Sequence, residues 1–371
     1  MESVVKDMGL GLLRQFLVAR ALSERLMGFC GDEGVTDVAA RLGLFDLRRW
    51  FEGLAAGPGY RLDTPVRRRM AATLLDFLVE CGVVERGPEG TYRYAGKSGA
   101  TAGEEPLSGE ERETLRRWFA GEIDFFDACL DEAPRFLRGG PHPFDFTDEC
   151  LALWEGFLGN FEFGTLRAVM LRLMAVDDAP STRVLDLCFG LGHGIVDLMS
   201  DFRDASITAV DFSDTYRPAA EARVEEAARR RGIEIDGRLS WAEGWKGFGE
   251  PLPFGDAAFD AVHFTFSDPY IPAQLRRSVY GEIRRVLKPG GVLGAATWVY
   301  PDDERQVVSN RWIRRQVLVH DFAESVCRGW QGFHDAGLTL RLFDEIGFER
   351  KRSLFGDDNR LGSSLWVMVR R

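Results

Sequence analysis

The chain has no apolar run approaching the ~20 residues of a membrane-spanning helix, so no membrane partner is expected. Its first residues, with Glu2, Lys6 and Asp7, show no signal-peptide cleavage pattern. Cysteine is sparse and scattered. Cys30, Cys81, Cys129, Cys150, Cys188 and Cys327 include no C-x-x-C pair, which argues against zinc and against a disulfide framework and fits a reducing cytoplasm. Lysine is nearly missing: 5 lysines stand against 42 arginines, a usage associated with high-GC bacterial genomes. Excess positive charge is also lacking. A net charge of −11 does not attract polyanions, so no nucleic-acid partner is expected. There is no internal repeat, and histidine occurs only five times.

What is present suffices for two domains. The chain has 371 residues, 45% of them hydrophobic. The most informative stretch is D-L-C-F-G-L-G-H-G, from Asp186 to Gly194. It follows the apolar run Arg183-Val184-Leu185 and precedes a helix-like segment, Ile195 to Phe202, so it reads as strand, glycine turn and helix start. Gly190, Gly192 and Gly194 remove side chains where a ligand would approach backbone. The helix start offers unpaired N–H groups to an anion such as a carboxylate. Asp211 closes the next apolar run, Ile207-Thr208-Ala209-Val210, about where an acid holds a ribose by its hydroxyls. The spacing is G-x-G-x-G, with Ile195 where a dinucleotide fingerprint wants its third glycine. Tight packing turns also use glycine, so the loop alone decides little.

The order of further blocks is more specific. P-L-P-F-G-D-A-A-F-D-A-V-H-F and E-I-R-R-V-L-K-P-G-G-V-L follow the loop and the acid. From about Arg183 to its C-terminus the chain resembles the class I S-adenosylmethionine-dependent methyltransferases. The resemblance implies that Asp186, Gly190, Gly192 and Gly194 hold the methionine part. It further implies Asp211 on the ribose with Phe212 beside the adenine, Glu243 at the adenine amino group and Trp245 packed on the ring. Thr265, at the end of the fourth strand, completes the implied cofactor contacts. One departure is Cys188, which stands where the family's first loop glycine is expected.

Ahead of this region, helical periodicity runs through Leu10 to Phe29, Val35 to Leu42 and Asp46 to Ala55. A further helix starts at Thr64-Pro65. Val83-Val84-Glu85 and Thr91-Tyr92-Arg93-Tyr94 alternate about a Gly-Pro-Glu-Gly turn, a hairpin. Helices followed by a hairpin predict a winged helix. Arg67-Arg68-Arg69 could serve DNA, but residues 1–100 carry 14 basic and 13 acidic side chains, hardly a basic footprint. The stretch also resembles the N-terminal dimerisation domain of small-molecule O-methyltransferases, which implies a homodimer and makes the arginine run a solvated face. Gly96 to Glu111 reads as a linker. Glu113 to Met174 is helical and crowded with aromatic residues; most belong to a core, and in the family this region roofs the acceptor pocket.

The expected architecture is α/β: a Rossmann-like, doubly wound, seven-stranded sheet with an N-terminal, mostly α winged-helix domain. The boundaries are 1–98 for the winged helix, 99–180 for linker and covering helices, and 181–371 for the cofactor domain. The expected activity is methyl transfer from S-adenosylmethionine to a small aromatic or apolar acceptor (oxygen, nitrogen or carbon), in bacterial secondary metabolism. Alternatives are non-methylating chemistry on the same fold and a ligand-sensing DNA-binding protein. The O-methyltransferases supply a histidine base after the fourth strand; here that place falls on Pro269, with Asp268 before it. The catalytic candidates are therefore Asp268, His263, His320 and His334. His142 is expected in a solvent-facing loop and His193 in the glycine turn. His320-Asp321 and His334-Asp335 lie in the insertion after the fifth strand, where acceptor contacts are expected; they resemble oriented bases, although adjacent residues on a helix do not face each other. No metal is expected.

Overall fold

The computed structural model describes residues 2–96, 106–300, 311–354 and 363–371. The chain divides into two compact units, Met1–Asp145 with Val307–Gly332, and Phe146–Gln306 with Phe333–Arg371. This differs from the expected boundaries. The covering helices split between the units, and residues 307–332, expected near the acceptor, belong with the N-terminal unit.

In the first unit, helices α1 (Glu2–Asp32), α2 (Val35–Leu42), α3 (Leu47–Ala56), α4 (Pro65–Glu80) and α5 (Gly109–Leu137) accompany strands β1 (Leu44–Asp46), β2 (Val84–Arg86) and β3 (Thr91–Tyr94). The helix starts follow from their caps. Asp46 accepts from the Arg49 N–H, Thr64 from the Arg67 N–H with Pro65 next, and Ser108 forms a capping box with Glu111. Helix α5 thus begins inside the segment read as linker; residues 97–105 of that segment lie outside the described residues. The hairpin β2–β3 forms, with Val84 opposite Tyr94, and β1 adds to it on the other side of β3, giving the antiparallel order β1-β3-β2. Helix α11 (Arg311–Glu324) packs on α1, α4 and α5. There Arg315, 1% exposed, donates to the Glu80 carbonyl at the end of α4.

The arginine run is not simply a solvated face. Arg67 is buried, stacks over Phe136 and donates to the Phe136 and Gly140 carbonyls. Arg69 donates to the Ser325 hydroxyl. Both guanidinium groups are occupied within the fold, which removes them as phosphate contacts.

The second unit begins with α6 (Leu151–Leu158) and α7 (Phe161–Met174). Then come β4 (Arg183–Leu187), α8 (His193–Asp201), β5 (Ser206–Val210), α9 (Arg217–Arg231), β6 (Leu239–Ala242), β7 (Phe259–Thr265), α10 (Arg276–Val286) and β8 (Leu287–Tyr300). The unit ends with β9 (His334–Asp335), α12 (Ala336–Glu345), β10 (Phe348–Leu354) and β11 (Ser363–Arg370). The main sheet runs β10-β11-β8-β7-β4-β5-β6, the expected seven strands. Strands β4 to β8 are parallel, and β11 runs antiparallel to both of its neighbours, β8 and β10. The short β9, not foreseen, pairs with the far end of β8.

The central strands read as continuous apolar runs because both faces are covered. Leu185, Leu187, Val262, Phe264, Leu293, Ala295 and Trp366 share one core. Gly294 lets α7 approach closely, since a Cβ there would meet Met174 Sδ at 2.4 Å. The strand order reverses beside β4, between β5 and β7, and such a switch point opens a crevice at the carboxyl ends of the strands. Among the described residues, no helix is long and apolar enough to cross a membrane, and no three metal-ligating side chains converge.

Candidate cofactor and acceptor site

The sheet register brings Leu187, Val210 and Ala242, the last residues of β4, β5 and β6, to one edge. The chain leaves β4 through Cys188, whose N–H donates to the Val210 carbonyl at 2.8 Å. Cys188 has φ 65°, a left-handed conformation that favours glycine. The departure from the family pattern therefore keeps the loop's backbone at some cost in strain.

The three glycines serve different ends. Gly190 (φ 50°) has open space where a Cβ would be, as a ligand-facing position requires. Gly192 (φ 80°) caps α8, and a Cβ there would strike Ala220 of α9 at 2.9 Å, so it serves packing. Gly194 leaves room for two side chains beneath it: its Cβ would lie 3.0 Å from His263 Cε1 and 3.3 Å from both Asp186 oxygens.

Asp211, just past β5, is half-buried. Its carboxylate accepts from the Gly190 N–H at 2.9 Å and the Ser213 N–H at 3.2 Å, which ties the turn to the neighbouring strand. Loss of water around it pushes its pKa up to about 6, against the backbone donors that favour the charged form. Phe212 is 40% exposed beside it, an uncovered ring at the strand ends. Glu243 is exposed and paired with Arg217 at 2.6 Å. Trp245 corrects the expectation of a ring-stacking residue: it is 5% exposed, lies in the core and donates to the Glu250 carbonyl. Trp241 is the indole next to the loop, edge-on to Phe189 and covered by Arg217. Thr265 stands at the end of β7.

The structure sorts the catalytic candidates. His263 lies beside Asp186 across β4 and β7, with Nδ1 and Oδ1 2.6 Å apart. Asp268 is buried after β7, where Oδ1 accepts from Arg276 at 2.8 Å and from the Tyr280 hydroxyl at 2.5 Å. Its other oxygen faces His334 Nε2 at 3.9 Å. Asp335 is not the partner of His334; it caps α12 by accepting from the Leu338 N–H. His320 belongs to the first unit, fully buried against the Phe126 ring at 4.2 Å. The neighbouring Asp321 accepts from Trp330 instead. His142, expected to face solvent, is half-buried in the first unit and meets the Val326 carbonyl. His193 sits 3.5 Å from Glu155, whose carboxyl is held down to about 2, first by that histidine and then by Arg223.

Aromatic side chains crowd around these strand ends within the second unit. Phe146 stacks on Trp154 and meets Phe212, Tyr216 and Tyr270. Phe266 stands at φ 61° and packs edge-on against Phe163 at 4.4 Å. Tyr216, Tyr270, Phe266 and Arg276 were not singled out by sequence. The signal for Phe266 was its place directly after a buried strand; Arg276 carried none, because its partner is eight residues away in an irregular loop.

Residues 184–291 match the family model described as methyltransferase domain. These residues thus form a methyltransferase domain, and the fold is that of the class I S-adenosylmethionine-dependent enzymes. Sterol 24-C-methyltransferase of Gibberella zeae is 30% identical over 168 residues, 44% of this chain and 41% of that protein. The enzyme of the same name from Schizosaccharomyces pombe is 32% identical over 171 residues, 45% and 42% of the two chains. The chain thus spans less than half the length of these relatives. The crystal structure of CurJ carbon methyltransferase is similar over 99% of this chain and 96% of that one, with a TM-score of 0.63 at 14% identity, a likeness of fold. The methyltransferase domain implies S-adenosylmethionine as methyl donor, and the residues present fit it: an open glycine, an acid at the next strand end and an uncovered ring beside that acid.

Proposed function

We propose that this protein transfers a methyl group from S-adenosylmethionine to a carbon atom of an apolar small molecule. The observation that carries the reading is the Asp211 carboxylate, bonded to the backbone of the open Gly190 turn at the switch point of the sheet. From there it can accept both ribose hydroxyls. When bound, the donor supplies a methyl group already activated by its sulfonium. The protein's task is then to align the acceptor, exclude water and take a proton where the acceptor must lose one.

Carbon is favoured over oxygen on two grounds. Pro269 occupies the place of the O-methyltransferase base, and the relatives named above are carbon methyltransferases by name. His334 is the proposed base. Asp268, locked by Arg276 and Tyr280, presents its second oxygen toward it. The aromatic group around Phe146 and Phe266 suits a flat or apolar acceptor. A role in bacterial secondary metabolism, and dimerisation through the first unit, where Leu44 and Leu47 are exposed, complete the proposal. Light scattering on the eluting protein tests the dimer.

Calorimetric titration with S-adenosylhomocysteine tests donor binding; no heat of binding would end the reading. A donor labelled with carbon-13 in its methyl group, incubated with isoprenoid and β-dicarbonyl acceptors, tests the rest. A label that appears only on oxygen or nitrogen would overturn the carbon assignment.

A further inference from the structure

Asp186 and His263 form a buried pair, 3% and 1% exposed. They are register partners on the two central parallel strands, so the sheet itself sets them side by side. One oxygen of Asp186 and one nitrogen of His263 are engaged with each other at 2.6 Å. Asp186 Oδ2 and His263 Nε2 have no hydrogen-bond partner among the described residues. A buried carboxylate oxygen without a donor is costly, and folds rarely leave one unless water, an ion or a ligand supplies the missing bond. Gly194 narrows the direction. A side chain there would press on both carboxylate oxygens, so the pair faces the first turn of α8, directly behind the glycine loop. The positive end of that helix favours a charged carboxylate beneath it. Among the described residues, no Lys or Arg forms an ion pair with Asp186. A cation carried by a ligand would meet both the open oxygen and its charge.

We infer that His263 is a positioning residue: it holds one oxygen of Asp186 so that the other meets the ammonium group at the amino-acid end of the methyl donor. This rests on the donor reading above. Without the imidazole the carboxylate turns freely and loses its direction. The role is to orient Asp186 and needs no proton transfer by His263 to the acceptor.

The test compares two ligands on the full chain by calorimetry. S-adenosylhomocysteine carries the ammonium group, and 5′-methylthioadenosine lacks the amino-acid end altogether. His263→Ala is expected to weaken S-adenosylhomocysteine by about 10- to 100-fold, the value of a charged hydrogen bond, and to leave methylthioadenosine within about 2-fold. His263→Asn, whose amide N–H can stand near the place of Nδ1, is expected to recover most of the loss; His263→Gln is not. Equal weakening of both ligands, or unchanged affinity for S-adenosylhomocysteine, would overturn the inference. Should His263→Ala fail to fold, the Asn and Gln variants decide: a selective loss in the Gln variant supports positioning, and equal behaviour of the two overturns it. Wild type that binds neither ligand would instead remove the donor reading itself.

Discussion

Two histidines are fully buried beside carboxyl groups, one in each unit, and they differ in what surrounds them. His263 makes a 2.6 Å hydrogen bond to Asp186 at the carboxyl ends of parallel strands, under a glycine that leaves it room. His320 lies among the helices of the first unit, with Glu122 at 3.8 Å and Glu324 at 3.7 Å, too far for hydrogen bonds to either. Burial lowers the pKa of His320 to about 3 and raises that of Glu122 to about 8, so both are neutral near pH 7. A histidine beside an acid is therefore not in itself a sign of chemistry. What distinguishes the two is their place: His263 is hydrogen-bonded to Asp186 directly behind the glycine loop, whereas His320 lies against the Phe126 ring among packed helices.

The sharpest way to break this comparison is to remove the proposed base. His334→Ala is expected to lower turnover by about 100-fold or more, the usual worth of a general base, with affinity for S-adenosylhomocysteine within about 2-fold. Turnover equal to wild type would return His334 to a packing role. Asp211→Ala comes next, with a loss of roughly 1–3 kcal/mol in S-adenosylhomocysteine affinity by calorimetry. The same group sets a pH dependence. Its pKa of about 6 means that the carboxylate is fully charged only above that value, so affinity is expected to drop by up to about 10-fold from pH 7 to pH 5. Asp211→Asn should flatten that profile.

His320→Leu probes the other side of the comparison, with no change expected in cofactor affinity. The unfolded chain protonates this histidine near pH 6.5 and the folded chain only near 3, so its burial costs stability as pH falls below 6.5. Relative to the Leu variant, wild type should lose about 2 kcal/mol between pH 7 and pH 5 in urea unfolding. An equal pH dependence in both proteins would mean that the imidazole is not held neutral. The smallest effect is expected from Cys188→Gly. Relief of the left-handed backbone should raise stability by about 0.5–1 kcal/mol, visible as a higher thermal midpoint. A lower midpoint would show that the thiol's contact with Ser267 outweighs the strain.

Much of the second unit was legible because its signals are local. Strand, glycine turn and helix start follow one another within a few residues, so Asp186 through Gly194 and Asp211 could be placed from spacing. Trp245 was misread for the opposite reason. The stretch W-A-E-G-W offers two indoles, and only folding decides that Trp245 turns into the core while Trp241 stays beside the loop. His334 looked paired with Asp335, its neighbour in sequence, yet it faces Asp268, brought near by the alignment of β9 with the end of β8. His320 sat in an insertion expected to cover the acceptor, but its helix packs on α1, α4 and α5.

By itself the sequence determined the sheet, its glycine turn and the acid one strand over, since apolar periodicity and backbone freedom are properties of adjacent residues. Only the tertiary structure decided which histidine meets which carboxylate, which glycine faces open space and to which unit residues 307–332 belong. Those outcomes depend on strand register and helix packing, which join residues far apart in the chain and leave no mark in local spacing.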